Sequence, residues 1–305
     1  MEIFNPLILP TLVIAGGEIA IALLVFMIFA IIYRRDPDKV KHDALKLAIL
    51  IGIGLILIAA AGLGKYGLLP VALFLAYFGW QELLETVQIK YGAIALPVLL
   101  QLLGTVGIVG GVWGNVFAIF CSAIVALWVA IALPILILRH PPPMHGILTT
   151  AFGIVFITIP LASLLTLADS AYQEFNLLIL LVLTNDGFSQ GIGKILGKTP
   201  LIPGISPNKT WEGTIGGLLA CLVLGWSLSF MLPEWRLWQV LLLSGGVALM
   251  ALTGDLIASS LKREAGIKDF GQVLAVTGGV LDKFDSVMFT IPIFYFIVHC
   301  KQSLN

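Results

Sequence analysis

The chain has 305 residues, of which 59% are hydrophobic and 11% charged, against about 25% charged in soluble domains, and its mean hydropathy is +1.05. These values exclude an ordinary water-soluble globule and require an integral membrane protein. Formal net charge is zero, which says nothing about partners because the sign of charge in a membrane protein matters loop by loop.

Each span must cross roughly 30 Å of hydrocarbon at about 1.5 Å per residue, so about 20 apolar residues are needed per crossing. Runs of that kind lie at 8–33, 46–64, 68–85, 91–112, 116–138, 145–168, 175–193, 212–232, 236–261 and 284–300. The expected architecture is all-α, a polytopic membrane protein of about ten transmembrane helices. Residues 1–170 supply the N-terminal helices and 171–305 the C-terminal helices of one continuous membrane domain. The first run follows Met1 and Glu2 directly, lacks a basic leader and is long for a signal segment, so it is read as a retained span. After it, "RRDPDKVKHD" reads as a basic loop near lipid headgroups. Glu82 and Glu85 in "WQELLE" are expected to serve a helix end rather than chemistry. "RHPPPMH" is a stiff turn in which His140 and His145 have no third ligand within reach. Cys121, Cys221 and Cys300 are widely spaced and read as small apolar residues, with neither a disulfide framework nor a thiolate metal site.

Lys and Arg are distributed unevenly between alternate loops. With the N-terminus outside, 14 of the 17 fall on the inner side, and only Lys65, Arg236 and Lys301 fall outside. That bias sets both termini outside and the polar motifs of the second half in the cytosol.

Those motifs differ in kind from the rest of the chain. Asp186 lies in "LLILLVLTNDGFSQGIG", where a carboxylate costs several kcal/mol unless hydrated, paired or metal-bound. It is either partnered within the protein or placed at a helix end in water. In "GKTPLIPGISPNKTWEGTIGG", Pro203 and Pro207 forbid a continuous helix, Gly204 permits a sharp turn, and a new helix begins near Trp211. Ser206, Lys209 and Thr210 then stand ahead of a helix N-terminus, which suits a phosphate. Thr210 with Glu212 suits a helix cap equally well. Farther on, Asp255 and Ser259 are spaced i, i+4 and Lys262 continues their face, while Asp282 and Asp285 are spaced i, i+3. Three carboxylates at one membrane surface repel unless a cation joins them, and a solvated, salt-bridged loop is the alternative reading of the stretch. Hard oxygen ligands suit Mg²⁺, and the interleaved Lys262, Arg263, Lys268 and Lys283 suit phosphates.

The run from Ser259 through Lys262-Arg263, Lys268-Asp269, Gly271 and Gly278-Gly279 to Asp282 and Asp285-Ser286 resembles the signature of the phosphatidate cytidylyltransferases, the CDP-diacylglycerol synthases. "ISPNKTWEG" and "NDGFSQGIGKILGK" resemble two further motifs of that family in the same order, so the likeness covers about residues 180–290. The resemblance implies transfer of CMP from CTP to phosphatidic acid, giving CDP-diacylglycerol and pyrophosphate. It implies Mg²⁺, with a second cation, K⁺ or Mg²⁺, held by Asp255, Asp282 and Asp285 with help from Ser259. Asp255, Asp282, Asp285, Lys262, Lys268 and Asp269 form the implied catalytic set. Asp186, Ser206, Lys209, Thr210, Glu212, Ser259, Arg263, Gly278, Gly279 and Lys283 form the implied substrate-binding set. The expected partners are CTP, phosphatidic acid and membrane lipids, with a second protomer and without nucleic acid. The expected location is a bacterial inner membrane.

Two departures stand in the middle of the signature. The family reads Pro-x-His-Gly-Gly and Asp-Arg where this chain reads Ala275-Val276-Thr277-Gly278-Gly279 and Asp282-Lys283. Thr277 removes a donor or proton-handling group, which leaves room for another acceptor, such as a different lipid phosphate or a polyprenol. Lys283 keeps the charge without the planar fork of Arg. A reading from a different class is a transporter or a catalytically silent paralogue that binds lipid phosphate; no duplicated halves are evident to favour the transporter.

Overall fold

Inside hydrocarbon a backbone N–H or C=O has no water to turn to, so an apolar run must satisfy its own hydrogen bonds as a helix. The computed structural model describes residues 37–92, 97–113, 116–139, 144–273 and 278–304, with scattered positions before 37. In chain order the helices are α1 (Pro37–Gly62), α2 (Gly64–Tyr91), α3 (Pro97–Gly107), α4 (Val116–Leu138), α5 (Met144–Gly153), α6 (Ile159–Ser170), α7 (Tyr172–Leu196), α8 (Trp211–Leu228), α9 (Leu237–Glu264) and α10 (Leu281–Leu304). A 3₁₀ turn, Ile108–Trp113, follows α3, and a π turn, Ile154–Thr158, joins α5 to α6. Each apolar run expected from residue 46 onward falls on helical segments where it is described; most of the run 8–33 lies outside the described residues. Among the described residues five helical stretches are long and apolar enough to cross a membrane: Val40–Gly62, Gly64–Tyr91, Met144–Ser170, Trp211–Met231 and Leu237–Glu264. The protein is thus an all-α polytopic membrane protein. Among the described residues its departure from helix is one antiparallel hairpin, β1 (Pro200–Ile202) with β2 (Ser206–Thr210).

By its internal contacts the chain divides into two compact units, Met1–Leu63 with Tyr172–Leu256, and Gly64–Ala171 with Ile257–Asn305. In the first, α7 and α8 cross closely. A Cβ on Gly217 would lie 2.0 Å from Ser189 Oγ, and one on Gly213 would lie 2.5 Å from the Ser189 carbonyl. Small residues one turn apart bring two backbones together where no hydrophobic force separates protein from lipid. Phe175, Leu178, Leu181, Val182 and Cys221 are buried along these two helices. The salt bridge from Lys194 Nζ to Asp43 Oδ1, 2.8 Å, ties α7 to α1.

The second unit is built around Trp80 on α2, which is wholly buried. Its Nε1 donates to Thr158 Oγ1 at 3.1 Å, and that hydroxyl donates onward to the Gly104 carbonyl at 2.9 Å. The relay satisfies the indole N–H in an apolar interior. Thr158 ends the π turn, and Pro160 follows at the start of α6. Proline lacks the N–H that an α-helix needs and crowds the carbonyl one turn back, and a wider π turn accommodates that loss.

Candidate active site

In the first unit the hairpin forms for the reason its prolines supply. Pro203 and Gly204 occupy the turn between β1 and β2, and the strands pair Pro200 with Thr210 and Ile202 with Ser206. β2 delivers its last residue, Thr210, as the N-cap of α8, where the Oγ1 accepts from Gly213 N at 3.2 Å. Glu212 accepts from the N–H groups of Lys198 and Thr199 at 3.1 and 3.2 Å, fastening the lead-in strand to the first turn of α8. Of the two readings open for Thr210 and Glu212, these side chains carry the local structural one. Lys209, one residue before the cap, reaches Asp255 Oδ2 on α9 at 2.6 Å. Ser206 is half-buried on β2, and Asp186 is half-buried well inside α7 rather than at its end.

α9 is unbroken from Asp255, in the first unit, through Ser259 to Lys262, in the second, so the i, i+4, i+7 spacing is realised on one helix. Asp282 and Asp285 both fall in the opening turns of α10. Lys262 and Ser259 are buried, whereas Arg263, Lys268 and Asp269 are exposed. Lys262 Nζ meets Asp282 Oδ1 at 2.6 Å and lies 5.2 Å from the centre of the Phe270 ring. The other oxygen of Asp282 accepts from Phe270 N at 2.9 Å and Gly279 N at 2.8 Å. An ionised carboxylate offers about four lone-pair directions, and these three bonds leave Asp282 about one. Arg263 donates to the Ile267 carbonyl at 3.1 Å, closing the turn after α9. Asp285 is buried and its Oδ1 accepts from Ser286 N at 2.7 Å. Lys283 is half-buried. Gly278 takes φ +97°, a conformation a side chain would strain; Gly279 follows it into the start of α10. Thr277 lies outside the described residues, as do Ala275, Val276 and His140.

Where three carboxylates drawn together by a cation are expected, the structure gives two lysine–aspartate pairs, Lys209–Asp255 and Lys262–Asp282, and a buried Asp285. Among the described residues no three His, Cys, Asp or Glu side chains form a metal-ligating group. Lys209 and Lys262 each rest against a carboxylate.

One residue of the site escapes the sequence reading. Glu82, expected to serve only a helix end, is 2% exposed on α2 and accepts from Val280 N at 2.8 Å and Leu281 N at 2.9 Å. The signal was present in outline, since a carboxylate in an apolar run must find donors, but the donors lie 198 and 199 residues away.

Residues 44–301 match the cytidylyltransferase family. Among similar proteins, the phosphatidate cytidylyltransferase of Aquifex aeolicus is 44% identical over 122 residues, 40% of this chain and 45% of the relative. That of Staphylococcus haemolyticus is 37% identical over 129 residues, 42% and 49% of the two chains. That of Staphylococcus saprophyticus is 29% identical over 227 residues, 72% of this chain and 85% of the relative. The chain spans about half the length of the first two relatives.

Proposed function

The chain belongs to the cytidylyltransferase family, and on that premise we propose that it transfers CMP from CTP to phosphatidic acid, releasing pyrophosphate. The observation that carries this reading is the ordered set of three polar motifs, about 180–290, lying wholly within the matched stretch. A phosphate oxygen of the lipid attacks the α-phosphorus of CTP; the bond to the β-phosphate oxygen breaks, and pyrophosphate leaves with its electron pair. The nucleophile is already an anion, so no strong base is needed, and placement with charge neutralisation dominates.

The residues follow from that need. Lys209, Lys262, Arg263 and Lys268 are the cations for triphosphate and lipid phosphate, and Lys283 adds a further positive charge. The pairing of Lys209 with Asp255 and of Lys262 with Asp282 holds each ammonium in a defined position before substrate arrives. Ser206 and Asp186 shape the nucleotide side, and Thr210 and Glu212 act by fixing the hairpin that carries Lys209. Gly278 and Gly279 allow backbone N–H groups close approach to phosphate or to a neighbouring carboxylate. Asp269 is exposed beside Lys268 and belongs to the same turn.

The donor set fits a hard divalent cation in kind, because Asp255, Asp282, Asp285 and Ser259 offer oxygen alone, and Mg²⁺ ordinarily takes only one or two carboxylates with substrate phosphates filling its octahedron. Asp285 with Asp282, both in the opening turns of α10, would hold it. Bound there, Mg²⁺ supplies neutralisation of the charge that builds on the leaving pyrophosphate.

We also read the membrane as a bacterial inner membrane with the polar motifs in the cytosol and both termini outside, on the 14-to-3 distribution of Lys and Arg. CTP then arrives from water and phosphatidic acid from the leaflet. Purified protein given labelled CTP, Mg²⁺ and a panel of acceptor lipids is expected to yield labelled CDP-diacylglycerol from phosphatidic acid. Product no greater than that of an Asp285→Asn control rejects the reaction, and product from another acceptor alone reassigns the lipid.

A further inference from the structure

We propose that Glu82 is a positioning residue for the transfer reaction, its carboxylate setting the position of the first turn of α10. The inference rests on the cytidylyltransferase reading of the site. Its two oxygens divide the work: Oε1 takes the N–H of Val280 and Oε2 that of Leu281. Those N–H groups belong to the opening of α10, where no helical carbonyl precedes them to accept, and a negative charge there is favoured by the helix dipole. The acid itself is anchored to α2, whose next turn is braced by Thr86 Oγ1 donating to the Glu82 carbonyl at 2.8 Å.

The glycines of the signature answer to the same carboxylate. A Cβ on Gly279 would lie 2.5 Å from both Glu82 oxygens, and one on Gly271 would lie 2.6 Å from Oε1. Neither glycine has the positive φ of Gly278, so space rather than backbone conformation demands glycine at these two positions. Glu82 thereby holds the start of α10 through Val280 and Leu281 and lies close against Gly271 and Gly279. Asp282 clasps the loop from within, through Phe270 N and Gly279 N. Asp282 and Asp285 stand on the turn that Glu82 holds, so their aim toward substrate is set by a residue of α2 that need touch no substrate itself.

Glu82→Gln is the sharpest perturbation, because it keeps the shape but replaces one acceptor with an NH₂ that faces a backbone N–H. Initial rates of the full chain in lipid micelles, with varied CTP, are expected to show kcat lowered by about 10- to 100-fold and the KM for CTP little changed. Glu82→Asp keeps the charge but draws the carboxylate back and is expected to lose kcat in the same way. A double-mutant cycle adds a geometric readout: Gly279→Ala alone collides with the carboxylate, while in a Glu82→Ala background it adds no further loss. Wild-type kcat in Glu82→Gln, an effect on KM alone, or losses of Glu82→Ala and Gly279→Ala that simply multiply would each overturn the clamp. Thermal midpoints of the same four proteins separate the two ideas. If the wild type makes no CDP-diacylglycerol, the reaction reading falls; coupled midpoints then retain the clamp and additive ones overturn it.

Discussion

Replacing Lys262 by Met tests the ion pair at the centre of the signature. The pair is 2.6 Å long and its side chains are 10% and 6% exposed, so solvent screens it weakly. At an effective dielectric of about 20 the gross attraction is about 6 kcal/mol. Not all of it is lost, because Asp282 keeps the N–H groups of Phe270 and Gly279, and Met keeps the apolar stem against the Phe270 ring. Leaving one buried charge without its partner costs about 3–5 kcal/mol; the two retained hydrogen bonds set the expectation at the lower end, about 3 kcal/mol. The second variant, Lys262→Met with Asp282→Asn, removes the orphaned charge, so it is expected to recover about 2 kcal/mol of that loss without recovering turnover. Equilibrium unfolding in mixed micelles measures both. A double variant no more stable than Lys262→Met would show that the pair is not what holds this turn, and the reasoning would fail.

The companion pair behaves differently. Lys209 and Asp255 have side chains 21% and 35% exposed, so Lys209→Met is expected to change stability by less than about 1 kcal/mol while lowering turnover about 100-fold; unchanged initial rates in the CTP assay would remove Lys209 from the phosphate-binding set. Thr210→Ala deletes the acceptor for Gly213 N and is expected to destabilise the protein by about 1 kcal/mol, whereas Thr210→Ser keeps the oxygen and the stability. Micelle unfolding curves in which Ser is as damaging as Ala would refute the cap.

What was legible in the chain and what was not can be seen residue by residue. Pro203, Gly204 and Pro207 announced a break between two helices, because a missing N–H and a free φ are properties of the residues themselves. They did not announce that the break closes as a paired hairpin carrying Lys209 to Asp255. The three motifs marked where the chemistry would gather and which charges would be present. Lys209 and Lys262 read as phosphate ligands, and only the fold shows each resting against an aspartate. Asp43, a partner for Lys194, gave no sign of that role in its basic loop.

The sequence by itself determined the solvent and the helical class, since each apolar run must satisfy its backbone within itself and composition declares the need. The tertiary structure decided which carboxylate meets which donor. Glu82 and the N–H groups of Val280 and Leu281 are separated by 198 and 199 residues, and neither residue type nor spacing carries that pairing. It exists because burying a charge leaves a demand that any nearby donor can meet, and only packing determines which donor is near.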